Sequence, residues 1–147
     1  MLLKLEQDTD QKDIEISIKY AVMSQEVTRL ISLIRSAETH IRCIADGKEK
    51  LLNVSEIYYA ESVDKRTFIY CESKVYRTDL RLYQLLETLS PAGFVQISKS
   101  CILNINVLDF IRPLLNSRME ATLINGERLN VSRKYIANIK SKLQEGM

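Results

Sequence analysis

The sequence predicts an α+β fold, mostly β, of antiparallel strands with one or two short helices, preceded by a β-β-α leader. Three observations lead to it. Apolar residues alternate with polar ones in short runs, the period of a half-buried strand. Asp46-Gly47 and Asn125-Gly126 fall between apolar runs, where such pairs close hairpins. Helical periodicity comes in single, separated stretches among many short strands.

The leader covers residues 1–40. Leu2 to Leu5 reads as a first strand. Ile14, Ile16 and Ile18 alternate with Glu15 and Ser17 and read as a second, with the polar run Asp8 to Asp13 as the turn between them. A helix is expected from Gln25 to Glu38. Ser24 suits its N-cap, Glu26 complements the positive helix end, and Val27, Leu30, Ile31 and Ile34 form one apolar stripe.

Residues 41–147 form the second unit. Strands are expected at Ile41 to Ala45, Glu49 to Val54, Ile57 to Ala60, Thr67 to Cys71 and Val75 to Arg77, with Lys65 and Arg66 in a turn. Leu82, Leu85, Leu86 and Leu89 mark a helix near Arg81 to Leu89, stopped by Pro91 and Gly93. Further strands follow at Phe94 to Ile97, Val107 to Ile111, Met119 to Ile124 and Arg128 to Val131. Asn125-Gly126 joins the last pair, by either a two-residue or a bulged turn. Ser132 suits the cap of a final helix that turns Ile136, Ile139 and Leu143 inward.

Length and composition bound the function. A chain of 147 residues buries enough surface for a real core. The net charge of +2 hides an asymmetry: residues 1–40 carry 5 Lys/Arg against 7 Asp/Glu, and the remainder 16 against 12. The basic part suits a polyanion and the acidic leader does not. Cys43, Cys71 and Cys101 are scattered and odd in number, which speaks against a disulfide framework or a metal site and for small buried hydrophobes. Met1-Leu-Leu runs at once into Lys4 and Glu6, unlike a signal peptide, and no apolar run is long enough to span a membrane. A cytoplasmic location is the resulting expectation. His40 is the one histidine, at a helix-to-strand junction, and no nucleophile-elbow, zincin or phosphate-loop motif accompanies it. No catalytic residue, cofactor or small-molecule substrate is expected.

The last third is different. In FVQISKSCILN (Phe94 to Asn104) and LINGERLNVSRKY (Leu123 to Tyr135), strand-like stretches end in Lys99-Ser100 and Arg133-Lys134. Cations and hydroxyls at strand ends are the groups that grip phosphates and reach base edges. Solvated caps would have the same composition, so this pattern alone does not decide.

The ordered set of Tyr59 to Asp64, F-V-Q-I-S-K-S-x-x-x-N, I-R-P at Ile111 to Pro113, and N-G-E-R-L-x-V-S-R-K-Y at Asn125 to Tyr135 resembles the LytTR DNA-binding domain over about Glu49 to Leu143. The resemblance implies antiparallel strands in stacked small sheets and a bacterial transcriptional regulator. Such a regulator reads the major groove of double-stranded DNA through loops, at repeated promoter elements. It implies base reading by Lys99 and Arg133 and backbone contacts by Ser100, Arg118, Lys134, Lys65 and Arg66. Ser98 stands where many members carry a ring or a cation. Forty residues before the domain are too few for a receiver domain, so the chain resembles the stand-alone type. That type implies a small integral-membrane regulatory partner. The leader is a candidate dimerisation element, which makes a homodimer the expected state. The alternative is a protein–protein adaptor on the same β-rich module, without DNA binding.

Overall fold

The computed structural model describes residues 1–144; the last three residues of the expected second unit lie outside them. Three helices and ten strands are arranged in the order α1 (Gln25–Glu38), β1 (His40–Ala45), β2 (Lys48–Asn53), β3 (Ile57–Val63), β4 (Arg66–Cys71), β5 (Val75–Thr78), α2 (Leu82–Leu89), β6 (Phe94–Ser98), β7 (Cys101–Asn104), β8 (Leu108–Pro113), β9 (Met119–Leu123), β10 (Arg128–Val131) and α3 (Ile136–Gln144). The α+β class and the antiparallel stacked sheets stand. A seven-stranded sheet has the order β2-β1-β5-β4-β3-β7-β6, and a three-stranded sheet the order β10-β9-β8.

The β-β-α leader does not. The first element of the chain is α1, and residues 1–24 form neither helix nor strand. The expected turn is present: the Gln11 N–H donates to the Asp8 carbonyl at 3.1 Å and the Asp10 N–H to Asp8 Oδ1 at 3.0 Å. The apolar runs on either side of it are unpaired, with Leu5 88% and Ile14 86% exposed. The physical reason is that two strands alone are marginal in water, and this pair has no third surface to lie on. Alternation records which face of a strand would be buried; it does not supply the neighbour that buries it.

Helix α1 begins as expected. Ser24 Oγ accepts the Val27 N–H at 3.3 Å and Glu26 occupies the first turn. Its inner face meets the turn Ser90–Ala92 at a tight crossing. Gly93 has φ +94°, and a Cβ there would come within 3.0 Å of Asn106 Nδ2 and 3.2 Å of Ser32 Oγ. Those two side chains are bonded to each other, Ser32 Oγ donating to Asn106 Oδ1 at 3.1 Å, while Asn106 Nδ2 donates to the Ala92 carbonyl at 3.1 Å.

The large sheet is covered on both faces. On one, Ile41, Leu52, Ile57, Ile69 and Phe94 pack with Leu85 and Leu89 of α2. On the other, Tyr58, Val95, Ile97 and Leu103 pack with Met119, Ala121, Leu123 and Val131 of the small sheet and with Ile139 of α3. This explains why Thr67 and Ile69 are buried while Phe68 and Tyr70, facing the opposite way, are half-buried too. Tyr70 stacks on Tyr59, ring centroids 4.3 Å apart.

One strand is absent from the expectation. Cys101–Asn104 forms β7, buried at every position between β3 and β6. Its Asn104 closes the motif for a structural reason: Nδ2 donates to the Ile57 carbonyl at 2.8 Å and Oδ1 accepts the Asn106 N–H at 2.9 Å. Phe94→Ala, at a side chain 1% exposed between α2 and the sheet, should cost about 3–5 kcal/mol in a urea titration.

Candidate nucleic-acid interface

Four strand connections meet at one end of the molecule. The β3–β4 hairpin turns through Asp64 (φ +50°) and Lys65 (φ +66°), the two left-handed positions of a tight hairpin, and Arg66 opens β4. Beside it lies the β6–β7 turn, because the Ser62 N–H donates to the Ser100 carbonyl at 2.8 Å. Lys99 and Ser100 form its tip, between the paired residues Ser98 and Cys101. Ser98 Oγ accepts the Ser100 N–H at 3.3 Å, so this hydroxyl ties the turn from within.

The next contact crosses between sheets. The Ser132 N–H donates to the Ile97 carbonyl at 2.9 Å. This sets Ser132-Arg133-Lys134 against the strand that carries Lys99. Ser132 does not cap a helix with its side chain; its carbonyl accepts the Tyr135 N–H at 2.8 Å, closing a 3-10 turn before α3. The fourth connection follows along the small sheet, where Met119 pairs with Val131. Arg118 therefore stands beside Ser132. Its carbonyl accepts the Leu114 N–H at 2.8 Å across a turn with Asn116 (φ +65°) and Ser117 (φ +57°) in the left-handed region.

Lys65, Arg66, Lys99, Ser100, Arg118, Arg133 and Lys134 are all exposed. None of these cations forms an ion pair among the described residues; the pairs there are Arg35 with Glu38 and Arg112 with Glu120. Lys134 Nζ lies 5.8 Å from the Tyr135 ring centroid. Asp64 is the acidic residue of these tips. Six cations, against Asp64 at the tips and Asp79 opposite Arg66 in register, leave a surface of net positive potential on turns over a rigid base. Arg42 is exposed beyond Arg66 on the same side of the large sheet, its carbonyl accepting from Thr78 Oγ1 at 3.3 Å. The strand signal did not single it out, because it lies within β1 and not at a tip.

The remaining chemistry is structural. Cys43 and Cys101 are buried and Cys71 is half-buried. Burial, with a smaller contribution from Glu61, pushes the Cys101 thiol up to about 12. Burial likewise raises Tyr59, aided by its hydrogen bond to Glu127. The described residues hold no group of three or more His, Cys, Asp or Glu placed to bind a metal ion.

The fold agrees with what the chain is similar to. The profile of the LytTr DNA-binding domain matches residues 47–144. The chain therefore belongs to the LytTR DNA-binding domain family, a non-catalytic class. It is 28% identical over 135 residues to the Sensory transduction protein LytT of Bacillus anthracis, covering 91% of this chain and 52% of that protein. The LytT of Enterococcus faecalis is 27% identical over 99 residues, 66% of this chain and 41% of the relative. The chain thus spans about half the length of these curated relatives. An uncharacterized HTH-type transcriptional regulator of Staphylococcus aureus matches nearly end to end, 24% identical over 97% of this chain and 98% of its own. A solved LytTr DNA-binding domain from Bacillus cereus shares the fold, with TM-score 0.66 and 24% identity over 72% of this chain and 96% of that one.

Cys101 should resist alkylation at pH 8 in the folded protein and react once it is unfolded, since the attacking species is the thiolate. Its neutral form is favoured by folding. That contribution is complete below the ordinary thiol range near 9.0 and is lost as pH rises toward about 12. Denaturation midpoints should accordingly fall on the alkaline side in wild type, and less so in Cys101→Ala measured against its own neutral-pH value.

Proposed function

We propose that the protein is a bacterial transcription regulator that recognises specific sequences in double-stranded DNA with the loops at this basic end. The carrying observation is the convergence of four exposed cationic tips, unpaired by acids, on one rim. Lys99 and Arg133 are the base readers: each has the reach to enter the major groove, and a bidentate contact to guanine discriminates by roughly 1–3 kcal/mol. Ser100, Arg118, Lys134, Lys65 and Arg66 hold phosphates and set the register. Recognition by turns suits this fold, because the tips are short and the large sheet beneath two of them is covered on both faces.

The regulator works as a homodimer on repeated promoter elements. Two modules then meet the same face of the duplex about one helical turn apart, or a multiple of it. It acts in the cytoplasm, where its DNA is. A small integral-membrane protein, the partner that the family resemblance implies, is its regulatory partner. Residues 1–40 form a unit distinct in role from the DNA-binding part.

Selection of bound sites from random DNA defines the operator. Against operator and scrambled duplexes, Arg133→Ala should erase most of the preference while keeping salt-sensitive binding. Ser100→Ala and Arg118→Ala should weaken both duplexes alike, and Arg118→Ala should reduce the salt slope by about 0.9. An unchanged sequence preference in Arg133→Ala would remove that residue from base reading.

A further inference from the structure

The N-terminal arm is a stretch of chain with an unmet need. Leu2, Leu3 and Leu5 are 78–88% exposed, Ile14 86% and Ile16 60%. Apolar side chains in such numbers on one segment mark an interaction surface. Their alternation with Glu15, Ser17 and Lys19 is that of a strand waiting for a sheet.

The structure also holds an unmet edge. The outer edge of β2 is guarded by Lys48, Glu49 and Lys50, the usual protection against stray pairing. The outer edge of β6 is met by Ser132 and α3. β8, the end strand of the small sheet, has no partner on its outer side among the described residues; it carries Asp109, Arg112, Pro113 and a bulge between Leu108 and Phe110, and among them Phe110 stands 51% exposed. Between β8 and α1 runs a groove of about 820 Å³, lined by Ile31, Leu108, Phe110 and Ile111, with Met23 at its mouth. The arm leaves the fold at that mouth, through Met23 into α1.

We propose that the arm of one copy adds as a strand to the β8 edge of a second copy, in a reciprocal exchange that makes the homodimer. This rests on the dimeric reading above and gives its mode. In this chain the arm stands outside its own groove, as its exposures record. Exchange about a twofold axis covers both β8 edges and the inner sides of both arms at once, and closes the assembly at two copies. Charge selects the direction. In antiparallel alignment Glu15 approaches the end of β8 at Arg112, which Glu120 already holds at 3.0 Å, and Lys19 approaches the Asp109 end, whereas parallel alignment would set Glu15 beside Asp109.

Sedimentation equilibrium of the full chain is the test. The arm variant I14E/I16E and the edge variant Phe110→Glu alter exposed positions, and their thermal melts as monomers should match wild type. Each should raise the dimer dissociation constant by roughly tenfold or more. Lys19→Glu and Asp109→Lys should each weaken the dimer, and the double variant should recover it. Amide exchange at residues 14–18 should slow only as protein concentration rises. The idea is overturned if wild type stays monomeric, or if the edge variant dimerises like wild type. It is also overturned if the charge swap gives no recovery, or if arm protection is independent of concentration, which would mean docking in the same chain. Binding of monomer to a single DNA site, measured by gel shift, is untouched by these variants; its absence would instead count against the DNA reading.

Discussion

One hydrogen bond joins the two halves of the basic rim: the Ser132 N–H to the Ile97 carbonyl at 2.9 Å. Lys65, Arg66, Lys99 and Ser100 belong to the large sheet, and Arg118, Arg133 and Lys134 to the small sheet and its exit. Nothing in the local sequence of either half sets their separation. That is done by the core between the sheets, where Ile97, Val131 and Ile139 are fully buried, and by this bond at its margin. A buried N–H and carbonyl so close to solvent would each be costly unpaired, so the bond is specific as well as adhesive. Rigid packing of this kind is what lets turns, ordinarily the mobile parts of a domain, serve as fixed contact points.

The sequence made the tips legible and their adjacency illegible. Cations at strand ends can be read from Lys99 and Arg133 one strand at a time. That the segments carrying them lie side by side follows from a contact between residues 97 and 132, far apart in the chain, which periodicity cannot report. β7 escaped for a related reason. Cys-Ile-Leu-Asn is buried on both faces, so it shows no alternation, and a short apolar run carries little signal of its own. The Asn125-Gly126 connection, left open between two turn types, proves to be the bulged one. The Leu123 N–H donates to the Glu127 carbonyl at 2.8 Å, leaving three residues in the loop, with Gly126 at φ +89°.

The leader failed in the opposite direction, with a strong local signal and no fold to receive it. Helix α1 shows what separates the two cases. It meets the turn Ser90–Ala92, with Val27 and Ser36 as its buried residues, and is locked there by Ser32, Asn106 and the bare Cα of Gly93, while Leu30, Ile31 and Ile34 of the stripe are half-buried. The arm upstream carries an equally regular pattern and finds nothing within its own chain. Frustration confined to one exposed segment of an otherwise consistent sequence is the expected mark of a surface meant for something else.

Placement decides whether such a surface could coexist with the DNA-binding role. β6 runs from Gly93, where α1 is anchored, to Ser98 at the basic tip. β8 runs from Leu108, at the groove, toward Pro113 and the turn that carries Arg118. In both sheets the anchor of the arm and the groove lie at the strand ends remote from the cations. The exit of the arm therefore lies away from the cations, while a strand seated along β8 would reach Arg112, next to the turn that carries Arg118. The same strands thus separate two surfaces of opposite character. In the proposed dimer, a change at the arm would alter how two modules are spaced on a duplex while leaving in place the side chains proposed to read it.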